Sequence, residues 1–426
     1  MWRFLTALIC FYGFIKEFKI GEPFIYLYQS EVLNLTREQL TNEVRDVDIE
    51  VYPFIAYSYL LSLIPVFLLT DLTLYKPTML LEIVGQTIYR SASFIILRNY
   101  PRNPKTILVF FPTVWAQKLG MMIYGTASAA EVAFFSYIYA KSEKDQYQKL
   151  TSYSRAAVMS GRMVSYLLAQ TIILTGIGSY RSLQWIGFCI PCFVIILAAF
   201  LPNVQWKQVA VRLFESRNKE TVVEEHNLPD TYRAYVHYQL CLMRRNITEI
   251  YRISAIRKWS LWWALTTCMS LQVFLINQVA QYSQPLWGEV QRGNMNSLNG
   301  FAEAVYTAAA AICILLLGLA KINWDRWGEL SLAIISLIDT LVLIVYSRAQ
   351  SIWIMYVCYI GYRSLYQMMI TIAQWNLARK MIGESYGLVF GLNSFIALLL
   401  QAILTAIVPD QRGLNMPVRR QNQVAL

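Results

Sequence analysis

The chain of 426 residues is 56% apolar and only 15% charged, where ordinary soluble domains sit near roughly 45–50% and about 25%. That excludes a disordered chain and argues against a water-soluble globule. Seven Cys make no disulfide framework, His226 and His237 leave little for His-based chemistry, and a net charge of +11 points to nucleic acid only if cytosolic loops do not account for it.

A membrane helix needs about 20 mostly apolar residues. In chain order the pattern predicts spans near 4–28, 53–70, 118–140, 155–176, 181–201, 259–284, 298–320, 328–347, 351–373 and 385–408. An eleventh is split. Residues 78–89 and 106–116 are each too short to cross alone and are interrupted near 90–105 by RSASFIILRNYPRNPK, whose charged, proline-rich backbone cannot face lipid. These spans predict an all-α membrane protein. A polar segment, 202–258, divides it into an N-terminal six-helix bundle (1–201) and a C-terminal bundle (259–426), an arrangement of repeats seen in many transporters.

That segment carries ten Lys or Arg against six acids. With the N-terminus inside, the inner segments hold nineteen basic residues, counting Lys141, Lys149 and Arg155, and the outer loops hold six, counting Lys118. The asymmetry predicts a cytosolic N-terminus and explains the basic charge by topology, with no nucleic acid. Asn34-Leu35-Thr36 is then an outer-loop glycosylation sequon. No G-x-x-x-x-G-K-[ST], H-E-x-x-H or G-x-S-x-G occurs, so neither an ATP-driven pump nor an enzyme is expected, and no cofactor.

Ionisable residues at membrane depth are the site candidates, because a charge there is costly without a cavity or a partner. Glu131 lies mid-span after a run of small residues, with Tyr124 seven positions earlier on the same helical face. An acid beside an aromatic ring suits a flat organic cation; a structural pair with Arg162 is the equal alternative. Glu303, one turn after Asn299, reads either as a polar binding wall or as a helix–helix hydrogen bond. Glu22 sits where Pro23 breaks the first helix, near the pocket or in solvent. Arg363 would meet an acid or an anion, and Asp339 is more often a structural partner. Asp71 and Lys76 flank the turn after the second span, as a gate or as interfacial anchors.

The ordered set of segments resembles the reduced folate carrier family, whose members carry folates or thiamine. The matches include FYGF (Phe11–Phe14), GEPF (Gly21–Phe24), LTREQLTNEV (Leu35–Val44), PVFLLTD (Pro65–Asp71) and AAEVAFFSYIY (Ala129–Tyr139). They continue with SYSRAAV (Ser152–Val158), SLWW (Ser260–Trp263), NGFAEA (Asn299–Ala304), INWDRWGEL (Ile322–Leu330) and YGLVFGLNSFIALLLQ (Tyr386–Gln401). The resemblance implies a major facilitator fold with two helical halves around a central cavity, and transport without ATP. It implies a plasma-membrane protein in contact with lipid and a small vitamin.

Glu131 and Gln401 match thiamine-type members, where folate-type members carry Arg and Lys. Asn277, Glu303, Tyr124 and Glu22 also match thiamine-type pocket positions, and Arg363 a position basic in both types. Ile55, Met121 and Arg162 depart, standing for a Trp, an acid and an aromatic residue. The implied function is thiamine uptake by alternating access. The alternative is a reduced folate carrier exchanging folate for organic anions. The interrupted third span, extra residues around RDVDIE and a stop at Leu426 before the family's twelfth span leave a further reading, a degenerate, non-transporting membrane protein.

Overall fold

The computed structural model describes residues 2–24, 27–28, 53–98, 113–211, 231–250, 252, 254–272, 298–320, 323–349, 351–381 and 385–407. Among them the chain is helical without strands. The first group of helices is α1 (Trp2–Lys16), α2 (Pro53–Leu72), α3 (Lys76–Arg98), α4 (Thr113–Ala129), α5 (Val132–Ala140), α6 (Tyr147–Leu174) and α7 (Tyr180–Phe200). They are followed by α8 (Tyr232–Ile250), α9 (Ser254–Gln272), α10 (Asn299–Leu319), α11 (Trp324–Arg348), α12 (Ile352–Lys380) and α13 (Tyr386–Ile407).

Four of these helices are long and apolar enough to cross a membrane by composition alone. Stretches of α1, α2 and α13 are apolar but shorter, and α3 and α12 carry polar groups on inward faces: Glu82 and Gln86 on α3, and Gln367, Gln374 and Asn376 on α12 are all buried. The outward faces are apolar, with Leu61, Ile196, Phe200, Leu337, Trp353 and Val357 exposed, as lipid-facing positions require.

Two expectations are corrected here. α3 does not stop near residue 89. It runs 23 residues, about 34 Å at 1.5 Å per residue, which crosses a hydrocarbon core of about 30 Å unaided. Arg90 lies inside it with its guanidinium against Gly187 of α7. Residues 113–116 are likewise no separate half-span but the first turn of α4, and 99–112 lie outside the described residues. The second correction concerns topology. Lys118, expected in an outer loop, is buried on α4, and Arg155, expected in an inner loop, is buried in the third turn of α6.

α1 packs on α6, α2 and α3 on α4, and α3 on α7; later in the chain α9 packs on α12 and α13, and α12 on α10 and α11. The groups are joined chiefly by α6 with α10 and α2 with α13, and also by α6 with α12 and α5 with α13. The approach of α2 to α13 is close enough to need glycine: a Cβ on Gly391 would overlap the Phe67 side chain. Between α2 and α3 the chain turns on two left-handed residues, Leu74 (φ 61°) and Tyr75 (φ 70°). α8 lies in the polar segment, and its Tyr232 hydroxyl donates to Leu72 O at the end of α2 (2.8 Å).

Gly391→Leu should therefore wedge α2 from α13. An overpacking cost of about 1–3 kcal/mol is expected, read as a lower midpoint of thermal unfolding in detergent. An unchanged midpoint would contradict this packing.

Candidate functional site

Between the two groups of helices lies a cavity of about 290 Å³. Its wall includes Glu131, Arg155 and Arg162 from one side and Arg363, Gln367 and Gln374 from the other, with Tyr59, Phe135, Trp263, Tyr366 and Phe390 supplying aromatic surface.

Glu131 stands at the junction of α4 and α5. There the backbone bonds shorten to three-residue steps: Ala130 N–H to Ala127 O (3.1 Å), Glu131 to Ser128 (3.2 Å), Ala133 to Ala130 (3.0 Å) and Phe134 to Glu131 (3.1 Å). A 3₁₀ stretch inside a helix changes the register of every side chain beyond it. Glu131 consequently turns into the cavity, whereas Tyr124 does not share its face. The Tyr124 hydroxyl donates to Glu22 (3.4 Å) and its ring packs on Tyr89 (centroids 5.1 Å apart). The expected Glu131–Tyr124 pairing is thus corrected, with Tyr59 and Tyr366 as the rings on the Glu131 wall. Among the described residues the Glu131 carboxylate makes no hydrogen bond or ion pair.

Arg162, the alternative partner for Glu131, belongs to Glu17. Its Nε and Nη2 both donate to Glu17 Oε2, at 2.8 and 2.6 Å. Glu17 also holds Lys19 (3.0 Å), Lys19 reaches Glu22 (3.7 Å), and Lys16 holds Glu82 (2.8 Å). Glu22 further accepts from Tyr166 (2.5 Å). Lys16, Glu17, Lys19, Glu22, Glu82 and Arg162 thus form a network of three bases and three acids across α1, α3 and α6. Sequence reasoning found only Glu22 and Arg162 in it. The run Lys16-Glu17-Phe18-Lys19 inside a predicted span was the missed signal.

On the far wall Arg363 lies over the Tyr306 ring (5.0 Å) and donates to its hydroxyl (3.3 Å). Glu303 accepts from Tyr359 (2.7 Å), and Asn299 from Tyr356 (2.9 Å). The Glu303 contact is the helix–helix hydrogen bond between α10 and α12 that one of its two readings expects. Arg155, which sequence reasoning assigned to a loop, donates from Nε to Gln374 Oε1 (2.6 Å) and lies over Phe135 (4.7 Å). Among the described residues neither Arg155 nor Arg363 makes an ion pair, though Arg155 lies within electrostatic reach of Glu131 and Arg363 of Glu303. Asp339 is buried on α11, where its Oδ1 has no hydrogen-bond partner. Asn277 and Asn34 lie outside the described residues; Gln401 is on α13, but its side chain is not described.

Hydrogen bonds also bridge the two groups of helices at helix ends. Asp71 accepts from the backbone N–H groups of Gly387 (3.0 Å) and Leu388 (2.8 Å), the unpaired donors at the start of α13. The Tyr147 and Tyr386 hydroxyls meet at 2.6 Å. Gln148 donates to Leu317 O (3.2 Å) and Ala320 O (3.3 Å), the last carbonyls around the end of α10. Lys76 takes no part in this bridging. It donates to Ala199 O (3.1 Å) and Leu201 O (2.8 Å), capping α7. Of the two expected gate residues, only Asp71 bridges the groups.

The reduced folate carrier family model matches residues 1–424. The chain belongs to the reduced folate carrier family. It is 37% identical over 415 residues to Folate-like transporter 2 of Caenorhabditis elegans, covering 97% of this chain and 91% of that one. It is 32% identical over 466 residues to Thiamine transporter 1 of Mus musculus, covering 99% and 86%. Its fold is similar to that of the proton:xylose symporter XylE of the major facilitator superfamily, with a TM-score of 0.60 at 12% identity over 99% of this chain and 94% of that one. The protein is therefore a multi-pass membrane transporter of this family with the major facilitator fold, and a vitamin is the cargo class of its relatives.

In this carrier Arg162→Gln should strand Glu17 with less counter-charge. A loss of about 3–5 kcal/mol is expected for breaking a buried pair, and Arg162→Gln combined with Glu17→Gln should recover part of it. Equal unfolding midpoints for the single and double variants would sink the assignment of this pair.

Proposed function

We propose that this carrier takes up thiamine across the plasma membrane by ATP-independent alternating access, with its N-terminus in the cytosol. Residues 1–201 and 259–426 are its moving halves, and 202–258 is the cytosolic linker. The observation that carries this reading is the bare Glu131 carboxylate on the wall of a cavity of about 290 Å³. A carboxylate at membrane depth is stabilised by an arriving cation far more than a hydrated one would be. The thiazolium of thiamine is such a cation, and Tyr59 and Tyr366 offer it π-faces.

Arg162, the residue that stood against a cationic cargo, has its charge matched by Glu17. The volume lies at the small end of ligand pockets, roughly 300–1,000 Å³, which favours the smaller of the two vitamins. Asn277, Gln401, Glu303 and Arg363 would complete the cargo's polar surroundings, with Glu22 and Tyr124 toward the outer mouth. Asp71 releases the start of α13 when the halves open inward. Asn34 would carry glycan on the outer face.

A second reading, folate in exchange for organic anions, has its own support. Arg155 and Arg363 line the same cavity without a direct ion pair, and Folate-like transporter 2 is a relative at 37% identity. Labelled thiamine uptake by cells expressing the protein separates the two. Glu131→Gln should lower saturable thiamine uptake by about two orders of magnitude, equivalent to roughly 3 kcal/mol for removing one partner of a buried charged contact. Thiamine uptake untouched by this change would remove Glu131 from the site. Folate displacing the label in the native protein, but not in Arg155→Gln, would favour the second reading.

A further inference from the structure

Arg155 has no part in binding a cationic cargo, yet it joins the two groups of helices at the cavity itself. It is 8% exposed, in the third turn of α6, on the cavity wall. Its Nε donates to Gln374 Oε1 (2.6 Å) and its Nη1 to Gln367 Oε1 (3.5 Å), both on α12. Two turns earlier on α6, Tyr147 meets Tyr386 and Gln148 meets the end of α10. Arg155 is thus the member nearest the cavity in a line of inter-group bonds. The line runs down α6 to the side on which α7 ends and the polar segment 202–258 begins.

What surrounds the guanidinium decides when these bonds hold. Both acceptors are neutral amide oxygens, and the charge lies over the Phe135 ring (4.7 Å). Neutral acceptors leave a buried charge short of compensation. Glu131 lies within electrostatic reach and supplies some of it, while Arg162, on the same helix, adds a like charge. The carboxylate that would take the cargo therefore also supports Arg155, and it cannot serve both fully at once.

We infer that Arg155 is a latch released by cargo: bonded to Gln367 and Gln374 it holds the empty carrier's halves together on the linker side, and a cation on Glu131 frees it. This rests on the reading of Glu131 as the cation site. In the empty carrier the Glu131 charge supports the guanidinium and the bonds to α12 hold. A cation seated on Glu131 cancels that support and brings a second positive charge near Arg155, where the low dielectric makes the repulsion strong. Parting the halves on the linker side lets water reach the guanidinium and relieves it. When the cargo leaves, Glu131 is bare again, the bonds to α12 re-form, and the carrier is reset. The cargo thus favours the parted arrangement over the joined one, which is the differential interaction that a ligand-driven change requires. Arg155 acts through Glu131 and is a positioning residue.

Two substitutions of opposite effect test this in the full-length protein in liposomes. Spin labels on Glu143→Cys and Asn323→Cys, exposed positions on the linker side of the two halves, report their separation once the native cysteines are replaced. Thiamine should shift the native carrier to longer distances. Arg155→Gln should raise the long-distance population of the empty carrier about tenfold or more, the weight of one hydrogen bond to a charged group. It should slow net thiamine uptake, which needs the empty carrier to rejoin, more than exchange of labelled for unlabelled thiamine, which does not. Gln374→Glu gives Arg155 an acid that the cargo does not cancel. It should keep the short distance with thiamine bound and lower exchange and net uptake alike. Both variants shifting the distance in the same direction overturns the latch. So does an empty Arg155→Gln carrier no more parted than a native carrier that responds to thiamine. No response of the native distance to thiamine overturns the cation reading of Glu131 and this inference with it.

Discussion

A charge held in a low-dielectric interior must find a counter-charge, a cavity or a proton, and the interior of this bundle is organised by that requirement. Arg162, Lys19 and Lys16 are matched by Glu17, Glu22 and Glu82 over distances of 2.6 to 3.8 Å. The matching draws together α1, α3 and α6, which are far apart in sequence. Removing one member leaves its partner stranded, so the network fixes how these helices sit even where its net stabilisation is small. Glu131, Arg155 and Arg363 are what the network leaves over. They face the cavity without direct ion pairs, where the cargo's own charges can add compensation.

The same rule governs the helix ends that bridge the two groups. The start of α13 carries backbone N–H groups without intrahelical acceptors, and Asp71 from α2 supplies a carboxylate for two of them. Parting them exposes both sides of the contact to water at once. Hydration then replaces what the contact supplied, so the step is reversible at modest cost. Gln148 at the end of α10 works in the same way with carbonyls in place of N–H groups. Gate contacts built from helix termini suit a carrier that must alternate, because water can substitute for them. A buried ion pair such as Lys16–Glu82 cannot be relieved by water while the bundle stays packed.

Much of the architecture was legible in the sequence, because lipid-facing apolar runs leave a strong signal. Glu131 and Arg363 were legible for the converse reason, as single charges in apolar surroundings. Arg155 and Lys118 were assigned to loops because hydropathy sees a charge near a span end and cannot tell a helix that continues, as α6 does back to Tyr147. Glu82 was hidden in a segment judged too short to span. The Tyr124–Glu131 spacing failed for a local reason: 3.6 residues per turn holds only while the bonds run four residues back, and between Ala130 and Phe134 they run three.

That short 3₁₀ step also bears on why Glu131 can serve as a binding group. It opens α5, with Glu131 at the N-cap and its carboxylate making no cap hydrogen bond, so the group stays available to a ligand. An uninterrupted helix would carry residue 131 on the face that Tyr124 occupies, toward Glu22 and Lys19, where it would add a fourth acid to a balanced network. With the tightened turn it lines the cavity and stays within electrostatic reach of Lys16 and Glu82. The run of small residues before it, from Gly125 to Ala130, lets α2 pack close at this point, with Ser62 reaching Thr126 (2.9 Å). Cargo affinity and helix packing therefore meet in one backbone irregularity, and a change that restored regular helix there would be felt at the site without altering a single charged residue.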